Sequence, residues 1–569
     1  MTQRQIAIFV LGPSALATAQ VIQKAVGGQI FGPVGMSGCD QHYEKATHQI
    51  AFCFNGAAAV VGICAAGILI RALAPFLNDK TVEAPVIAVA EDGSSVVPLL
   101  GGHHGANDLA RRIAGAVKGH AAITTASEVM FGEAFDEPGE SMVLANPEAM
   151  KSATAARLRG ETVTQEATIY RNPGGPRHLV YHPRMLSVGL GCERGAAPAE
   201  VRQLLQQTLD RHGIAEASIK SYATIDVKED EPAITQFEGI RFFTAEELAA
   251  QSHRVPNPSP VVAAEVGTPS VAEAAALAVI GPAAELIVPK TKSKHATLAI
   301  AKAAHSDFAP HGRERGLINI VGLGPGAKDM ITPAADFALW ESAEWIGYTL
   351  YLDLVEHLRQ GQARHDFPLG DEEARCRKAI ALAKDGKRVA LICSGDPAIY
   401  AMAALVYELI DREASRIAVK VHPGISAFQI ASARTGALIG HDFCCISLSD
   451  LLTPWEVIEK RIKAAAEGDF VISFYNPRSL KRRDQLQRAF AILKPHRPPE
   501  TPVIIASNLG RPQENIRIRT FTEFDPEEVD MLTLVMVGSS QSKAFKRGDG
   551  QTYAYTPRGY AKKMDLNLK

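Results

Sequence analysis

Five short stretches in the C-terminal half carry residue types that could cradle a ligand with their backbone. They are Gly322-Leu323-Gly324-Pro325-Gly326, Ser394-Gly395-Asp396-Pro397-Ala398-Ile399-Tyr400, His422-Pro423-Gly424-Ile425-Ser426-Ala427, Phe474-Tyr475-Asn476-Pro477 and Ala506-Ser507-Asn508-Leu509-Gly510-Arg511. Glycine lets a chain approach a ligand closely and turn through positive φ. Asp396 could accept hydrogen bonds from a ribose or an amine, or it could close an Asx turn. A lone G-x-G-P-G is as consistent with a tight surface turn as with a ligand loop. A dinucleotide loop is rejected on spacing, because G-x-G-P-G is not G-x-G-x-x-G and no helix opens at its last glycine.

Each stretch follows a short apolar, β-branched run. Leu317 to Val321 and Val389 to Cys393 are the clearest, and both read as buried strands ending in glycine turns. Thr332 and Pro333 read as an N-cap and first helical residue. In open α/β sheets ligands bind outside the carboxyl ends of the strands, where these turns would lie.

In this order and spacing the five stretches resemble the tetrapyrrole methylases, a class of S-adenosylmethionine (SAM) methyltransferases, over residues 316–569. GYTLYLDL at 347–354, GHDFCCISLSDLLTPWEVIEKRI at 440–462 and FYNPRSLKRR at 474–483 resemble the family's precorrin-3B C17-methyltransferase branch. The resemblance implies a two-lobed α/β class III methyltransferase that uses SAM, methylates C17 and contracts the macrocycle. It places cofactor contacts at Pro325, Ser394, Gly395, Asp396, Ile399, Ser426, Ala427, Asn476 and Leu509. Methyl transfer from a sulfonium is mainly alignment of donor and carbon nucleophile. Contraction would gain from a general base near the C20 hydroxyl, and the candidates are Asp353, His441 and Asp442. As bare sequence, Asp353 reads equally as a surface helix residue and His441-Asp442 as turn formers. Arg478, Lys481, Arg482 and Arg483 could neutralise carboxylate arms or simply aid solubility.

In the N-terminal half, Ile6 to Leu11, Ala58 to Cys64, Val86 to Ala90 and Val96 to Leu100 read as strands alternating with helices. Gly101-Gly102-His103-His104-Gly105-Ala106-Asn107-Asp108 precedes a helix and suits a carboxylate, which Arg71 could hold in bidentate fashion. His103 is otherwise a turn or packing histidine. GILIRALAPFLNDK, LLGGHHGANDLA and AITTASEV resemble the cobalt-precorrin-5A hydrolase family, with Glu128 where that family usually has aspartate. Arg71, His103 and Asn107 are the substrate-binding candidates this resemblance leaves. Residues 185–304 resemble the same family's C-terminal domain, with Cys192, Arg194, Asp226, Lys228, Glu231, Ser270 and Glu273 in its marked loops.

The expected plan is therefore an α/β multidomain chain with N-terminal α/β hydrolase-like domains. A first domain covers 1–145, a middle segment 146–184, a second domain 185–304, a linker 305–315 and the methylase 316–569. The length of 569 residues already asks for several cores. A net charge of −2 gives no basic field for nucleic acid. No apolar run is long enough to span a membrane, and no signal peptide is recognisable, so a cytoplasmic protein is expected. The eight cysteines contain no CxxC and read as reduced, packed thiols with no bound metal. The resemblance implies precorrin or cobalt-precorrin as substrate and a homodimer through the methylase domain. Three readings stand: a methyltransferase fused to an active lactone hydrolase, on metal-free or cobalt-carrying substrate; a methyltransferase whose N-terminal half only binds or carries tetrapyrrole; and a nucleotide-dependent oxidoreductase, which the loop spacing disfavours.

Overall fold

The β-branched runs form strands, and the alanine-rich stretches between them pack over these strands as helices. The computed structural model describes residues 6–56, 58–77, 83–102, 105–124, 141–359, 361–479 and 483–560. Two units, 1–314 and 315–569, each have their own cores.

The first unit opens with β1 (Ile6–Val10), β2 (Gln29–Pro33), β3 (Gln41–Tyr43), β4 (Ala59–Ile63), β5 (Val86–Val89), β6 (Ser95–Leu100) and β7 (His120–Ala121), in sheet order β3-β2-β1-β4-β5-β6-β7. β1 to β5 are mutually parallel where paired, and β6 runs antiparallel to β5. Period-two alternation sends Ile8 and Val10 into one core and Ala7 and Phe9 into the other. Both faces are covered, which is why the strands read as unbroken apolar runs.

The middle segment, which showed little periodicity, forms β9 (Thr164–Ala167) and β10 (His178–Pro183), and these pair with β8 (Met142–Leu144), from the end of the expected first domain, in the order β8-β10-β9. The helix Met150–Leu158 closes it through Ala153 and Ala156 against Leu179 and Tyr181. Then β11 (Leu186–Cys192), β12 (Ile219–Ile225), β13 (Arg241–Phe243), β14 (Glu285–Lys292) and β15 (Ala296–Lys302) order as β13-β12-β11-β15-β14. The helix Ala272–Ile280 lies directly on β11: a Cβ at Gly189 would sit 1.8 Å from Ala272 O, so only glycine permits this packing. Its Glu273 is fully buried and accepts from Asn257 N (3.2 Å), Asn257 Nδ2 (2.8 Å) and Lys290 N (2.9 Å).

The stretch 305–315 lacks periodicity because its bonds run outward and not along itself. His311 N donates to Val279 O (2.8 Å), Phe242 N to Arg313 O (2.8 Å), and the Arg313 guanidinium pairs with Asp226 and Glu229. Most of the expected linker is thus held against the preceding domain.

The second unit has two lobes. β16 (Leu317–Gly322), β17 (Glu344–Tyr348), β18 (Ala363–Phe367), β19 (Arg388–Cys393) and β20 (Ala418–His422) form an all-parallel sheet in the order β18-β17-β19-β16-β20. β21 (Gly436–Ala437), β22 (Phe443–Ser447), β23 (Val471–Tyr475), β24 (Pro502–Ser507), β25 (Asn515–Thr520), β26 (Thr533–Val537), β27 (Lys543–Lys546) and β28 (Thr552–Tyr555) follow. They make a mixed sheet, β22-β23-β26-β24-β25, and a small one, β21-β28-β27.

All eight cysteines are free, and burial pushes the Cys53, Cys64, Cys192 and Cys444 thiols up to about 11. Among the described residues no helix is long and apolar enough to cross a membrane. Glu273→Ala removes the acceptor of three buried or half-buried donors, and the expected cost to the first unit is about 3 kcal/mol. Hydrogen exchange at the Asn257 and Lys290 amides reads this out; unchanged protection there would show that the carboxylate does not hold the loop.

Candidate active site

Three of the glycine-bearing loops meet backbone to backbone at the carboxyl edge of β16, β19 and β20. Leu323 N donates to Cys393 O (2.9 Å), Gly324 N to Gly395 O (3.2 Å) and Gly395 N to Gly324 O (2.7 Å). A Cβ on Gly424 would lie 2.1 Å from Gly395 O, and one on Gly322 would lie 2.6 Å from both Gly395 O and Gly424 N. Side chains are excluded at all three contacts. The last loop joins them, since a Cβ on Gly510 would be 2.7 Å from the Pro325 ring.

Around this junction the cofactor candidates assemble from both lobes. Pro325 is buried, and Ser394 Oγ approaches Gly324 O at 3.5 Å. The open side of Gly395, at φ +65°, has no atom within 4 Å of a Cβ position. Asp396 Oδ1 accepts from Ala398 N (2.8 Å), so one of its oxygens closes an Asx turn. The helix that follows begins only at Met402, after Tyr400 has turned through φ 51°. Ser426 caps the helix Ala427–Thr435, and its amide donates to Gln429 Oε1 (2.9 Å). Ile399, Ala427 and Leu509 share one apolar cluster with Ile425, Met330 and Phe428. Asn476 Nδ2 donates to Ser447 Oγ (3.1 Å) at the carboxyl ends of β22 and β23.

The fold treats the other candidates differently. Asp353 follows β17 on the same edge as the loops, but its carboxylate accepts from Arg364 Nη2 (2.6 Å), which also binds Asp366 (2.7 Å). His441 and Asp442 form an exposed turn in which the Asp442 amide donates to His441 Nδ1 (2.8 Å). That turn precedes β22, whereas Ser447, to which the cofactor candidate Asn476 donates, is the last residue of that strand, about 16 Å of strand away. Arg478 spends its guanidinium on Pro526 O (2.9 Å) and Glu527 Oε2 (2.5 Å), pinning a turn. Arg71 is exposed on the helix Ala66–Leu73, and Asn107 is buried in the helix Ala106–Val117. The two helices contribute to different cores on opposite faces of the first sheet. His103, Lys481, Arg482 and Glu128 lie outside the described residues.

Two tyrosines at the junction were not singled out from the sequence. Tyr400 donates to Cys445 O (2.7 Å), tying the second loop to the other lobe, and its ring packs 5.3 Å from that of Tyr475. Burial holds the Tyr475 hydroxyl well above the usual phenol range, so it stays protonated. Tyr400, Asn476 and Asn508 all have positive φ, near 50°. Only the enrichment of asparagine in left-handed turns hinted at two of them.

Residues 317–525 match the family model for tetrapyrrole (corrin/porphyrin) methylases. The probable cobalt-factor III C(17)-methyltransferase of Salmonella typhimurium is 43% identical over 244 residues, 43% of this chain and 99% of that protein. The chain belongs to the tetrapyrrole methylases. The precorrin-3B C(17)-methyltransferase of a Sinorhizobium species is 41% identical, matching 43% of this chain and 98% of that protein. Cobalamin biosynthesis protein CobIJ of Mycobacterium tuberculosis is 42% identical over 259 residues, 44% of this chain and 50% of that protein. The chain thus spans about half the length of its mycobacterial relatives. Among solved structures, the methyltransferase CobJ is 36% identical with a TM-score of 0.40, covering 42% of this chain and 100% of that one. In this tetrapyrrole methylase the first unit matches two further models, cobalamin synthesis G N-terminal at 48–128 and cobalamin synthesis G C-terminus at 186–301. The protein is a fusion of the two kinds of module.

Gly424→Ala forces its methyl into Gly395 O. Amide exchange at Gly324 and Gly395 is expected to rise about tenfold or more while the first unit is unaffected. Unchanged exchange at Gly395 would remove the steric argument.

Proposed function

We propose that the second unit transfers a methyl group from SAM to C17 of precorrin-3B, with ring contraction to precorrin-4, in the assembly of the corrin ring. The observation that carries this reading is the four-loop junction, in a unit that is more than 40% identical to nearly the full length of two relatives named as C17-methyltransferases. The open space beside Gly395 and the apolar wall of Ile399, Ala427 and Leu509 suit a flat base on a thioether-like chain. When bound, SAM supplies a methyl already activated on sulfonium.

The chain's own part is to bind, align and keep water out. Backbone N–H and C=O groups of the Ser394 and Ser426 loops orient polar ends, and Leu509 and Pro325 close the apolar side. Tyr475 keeps its proton across the physiological range and so can donate a hydrogen bond but not act as a base. Asp353 remains the one base candidate on the ligand edge, at the cost of leaving Arg364.

The cobalt-carrying substrate is a second reading, favoured by the Salmonella relative's name. The first unit, with its cobalamin synthesis G domains, is read as a lactone hydrolase or as a tetrapyrrole carrier. A cytoplasmic homodimer paired through the second unit completes the proposal, with free thiols supporting the compartment and a solution mass measurement testing the dimer.

The deciding assay supplies SAM with metal-free precorrin-3B or with cobalt-factor III and follows product mass and acetaldehyde. One added methyl on the metal-free substrate is expected. Product from the cobalt substrate alone would move the enzyme to the other route, and methylation of neither would overturn the C17 assignment. Leu509→Ala strips about three carbons from the wall and should weaken S-adenosylhomocysteine binding roughly tenfold or more by calorimetry. Unchanged affinity would remove Leu509 from the cofactor wall.

A further inference from the structure

In the second unit, most arginines are consumed by the fold, and Arg511 is not. It closes the last glycine-bearing loop. Its guanidinium makes no hydrogen bond or ion pair among the described residues, although the residue is half-buried and its Nε fully so. Its stem lies against the first loop: a Cβ on Gly326 would sit 3.7 Å from Arg511 Cγ and 3.1 Å from Leu354 Cδ1. Leu354 is three residues after Tyr351 on the helix Thr349–Val355, which leaves the carboxyl end of β17.

A second underused guanidinium stands behind Tyr351. The Tyr351 ring meets Tyr348 edge-on at 5.2 Å, and Tyr348 pairs with Phe367 of β18. The next carbonyl, Pro368 O, accepts from Arg375 Nη2 at 3.4 Å. Arg375 is 2% exposed, its other bond, to Glu372 Oε1, is long at 3.3 Å, and its buried Nε has no partner. The Tyr351 hydroxyl also has no hydrogen-bond partner among the described residues. Burial raises it above the usual phenol range, against the pull of Arg511 and then Arg375, so it keeps its proton and can donate. Carboxylates on the neighbouring segments are spent elsewhere. Asp353 is held by Arg364, and Glu514 by Gly510 N (2.7 Å) and Arg434 (3.3 Å).

A half-buried guanidinium with unspent donors is costly until an anion takes them. Its planar fork matches a carboxylate, and a phenol beside it adds a third donor. Placement separates two sources of that carboxylate. The Pro325, Ser394 and Ser426 loops follow β16, β19 and β20, whereas Tyr351 and Arg375 lie past β17 and β18, the other flank of the same edge.

We infer that the Arg511 guanidinium and the Tyr351 hydroxyl form a carboxylate receptor, with Arg375 as the positive charge behind it, that takes one carboxylate arm of the methyl acceptor and so fixes which edge of the acceptor faces the cofactor. The inference rests on the methyltransferase reading of this cleft and names residues that set its specificity.

The test is calorimetry on the full chain with S-adenosylhomocysteine, and then with uroporphyrin III, a flat octacarboxylate, added to the chain saturated with S-adenosylhomocysteine. Arg511→Gln is expected to weaken uroporphyrin binding about tenfold or more and Tyr351→Phe about threefold, with S-adenosylhomocysteine affinity and melting temperature unchanged. Arg511→Lys keeps the charge without the fork and should recover only part of the loss. If Arg511→Gln instead weakens S-adenosylhomocysteine but not methylthioadenosine, which lacks the amino-acid end, the carboxylate is the cofactor's and the acceptor assignment is overturned. Uroporphyrin binding that neither Arg511→Gln nor Tyr351→Phe moves, or none in the unsubstituted chain, overturns the receptor. Failure of the methyltransferase reading would appear separately, as no methylated product from SAM and either C17 substrate while the Arg511-dependent binding persists.

Discussion

The second unit depends on the close approach of three backbones at Gly322, Gly395 and Gly424. This is a constraint on what must be absent. With a methyl 2.1 Å from Gly395 O the second loop has to move. The paired bonds between Gly324 and Gly395 would then open, and the stack of Gly510 on Pro325 would lose its base. The cleft is therefore shaped by main chain, whose position is fixed by two sheets, and much less by side chains that could rotate. Three non-glycine residues with positive φ surround it. Each costs on the order of 1 kcal/mol and each is held by a bond to another segment: Tyr400 to Cys445 O, Asn476 to Ser447 Oγ and Asn508 N to Leu532 O (3.1 Å). The strain is stored where the glycine-bearing loops of the two lobes meet.

That constraint also explains what was legible in the sequence. Glycine and proline punctuate the chain at the points where backbones touch, so the order of the loops could be read directly, and the apolar runs ahead of them gave the strands. Less could be read where a long-range partner decides the conformation. Ala398 to Ala401 looks helical by composition, yet the left-handed Tyr400, fixed by its bond to Cys445, delays the helix to Met402. Residues 305–315 look like a polar connector, and it is their bonds to Lys220, Val279 and Phe242 and the Arg313 ion pairs that order most of them. Residue type placed His441 and Asp442 among possible bases. Their distance from the glycine-bearing loops follows from strand direction, which the local sequence does not carry.

Arginine is where sequence said least, because a guanidinium's role is set by what has already consumed its five donors. Arg497 is buried and gives them to Gly538 O (2.8 Å), Phe470 O (2.8 Å) and His496 O (3.0 Å), with Asp469 at 3.1 Å. Arg364 binds three carboxylates, and Arg517 and Arg519 share Glu528. Arg478, a natural candidate for a carboxylate arm, belongs to this group, since its donors already hold the 526–529 turn. Recruiting any of these cations to a ligand would leave a partner charge or carbonyl unpaired, at about 1–3 kcal/mol each. Such arginines fix the scaffold.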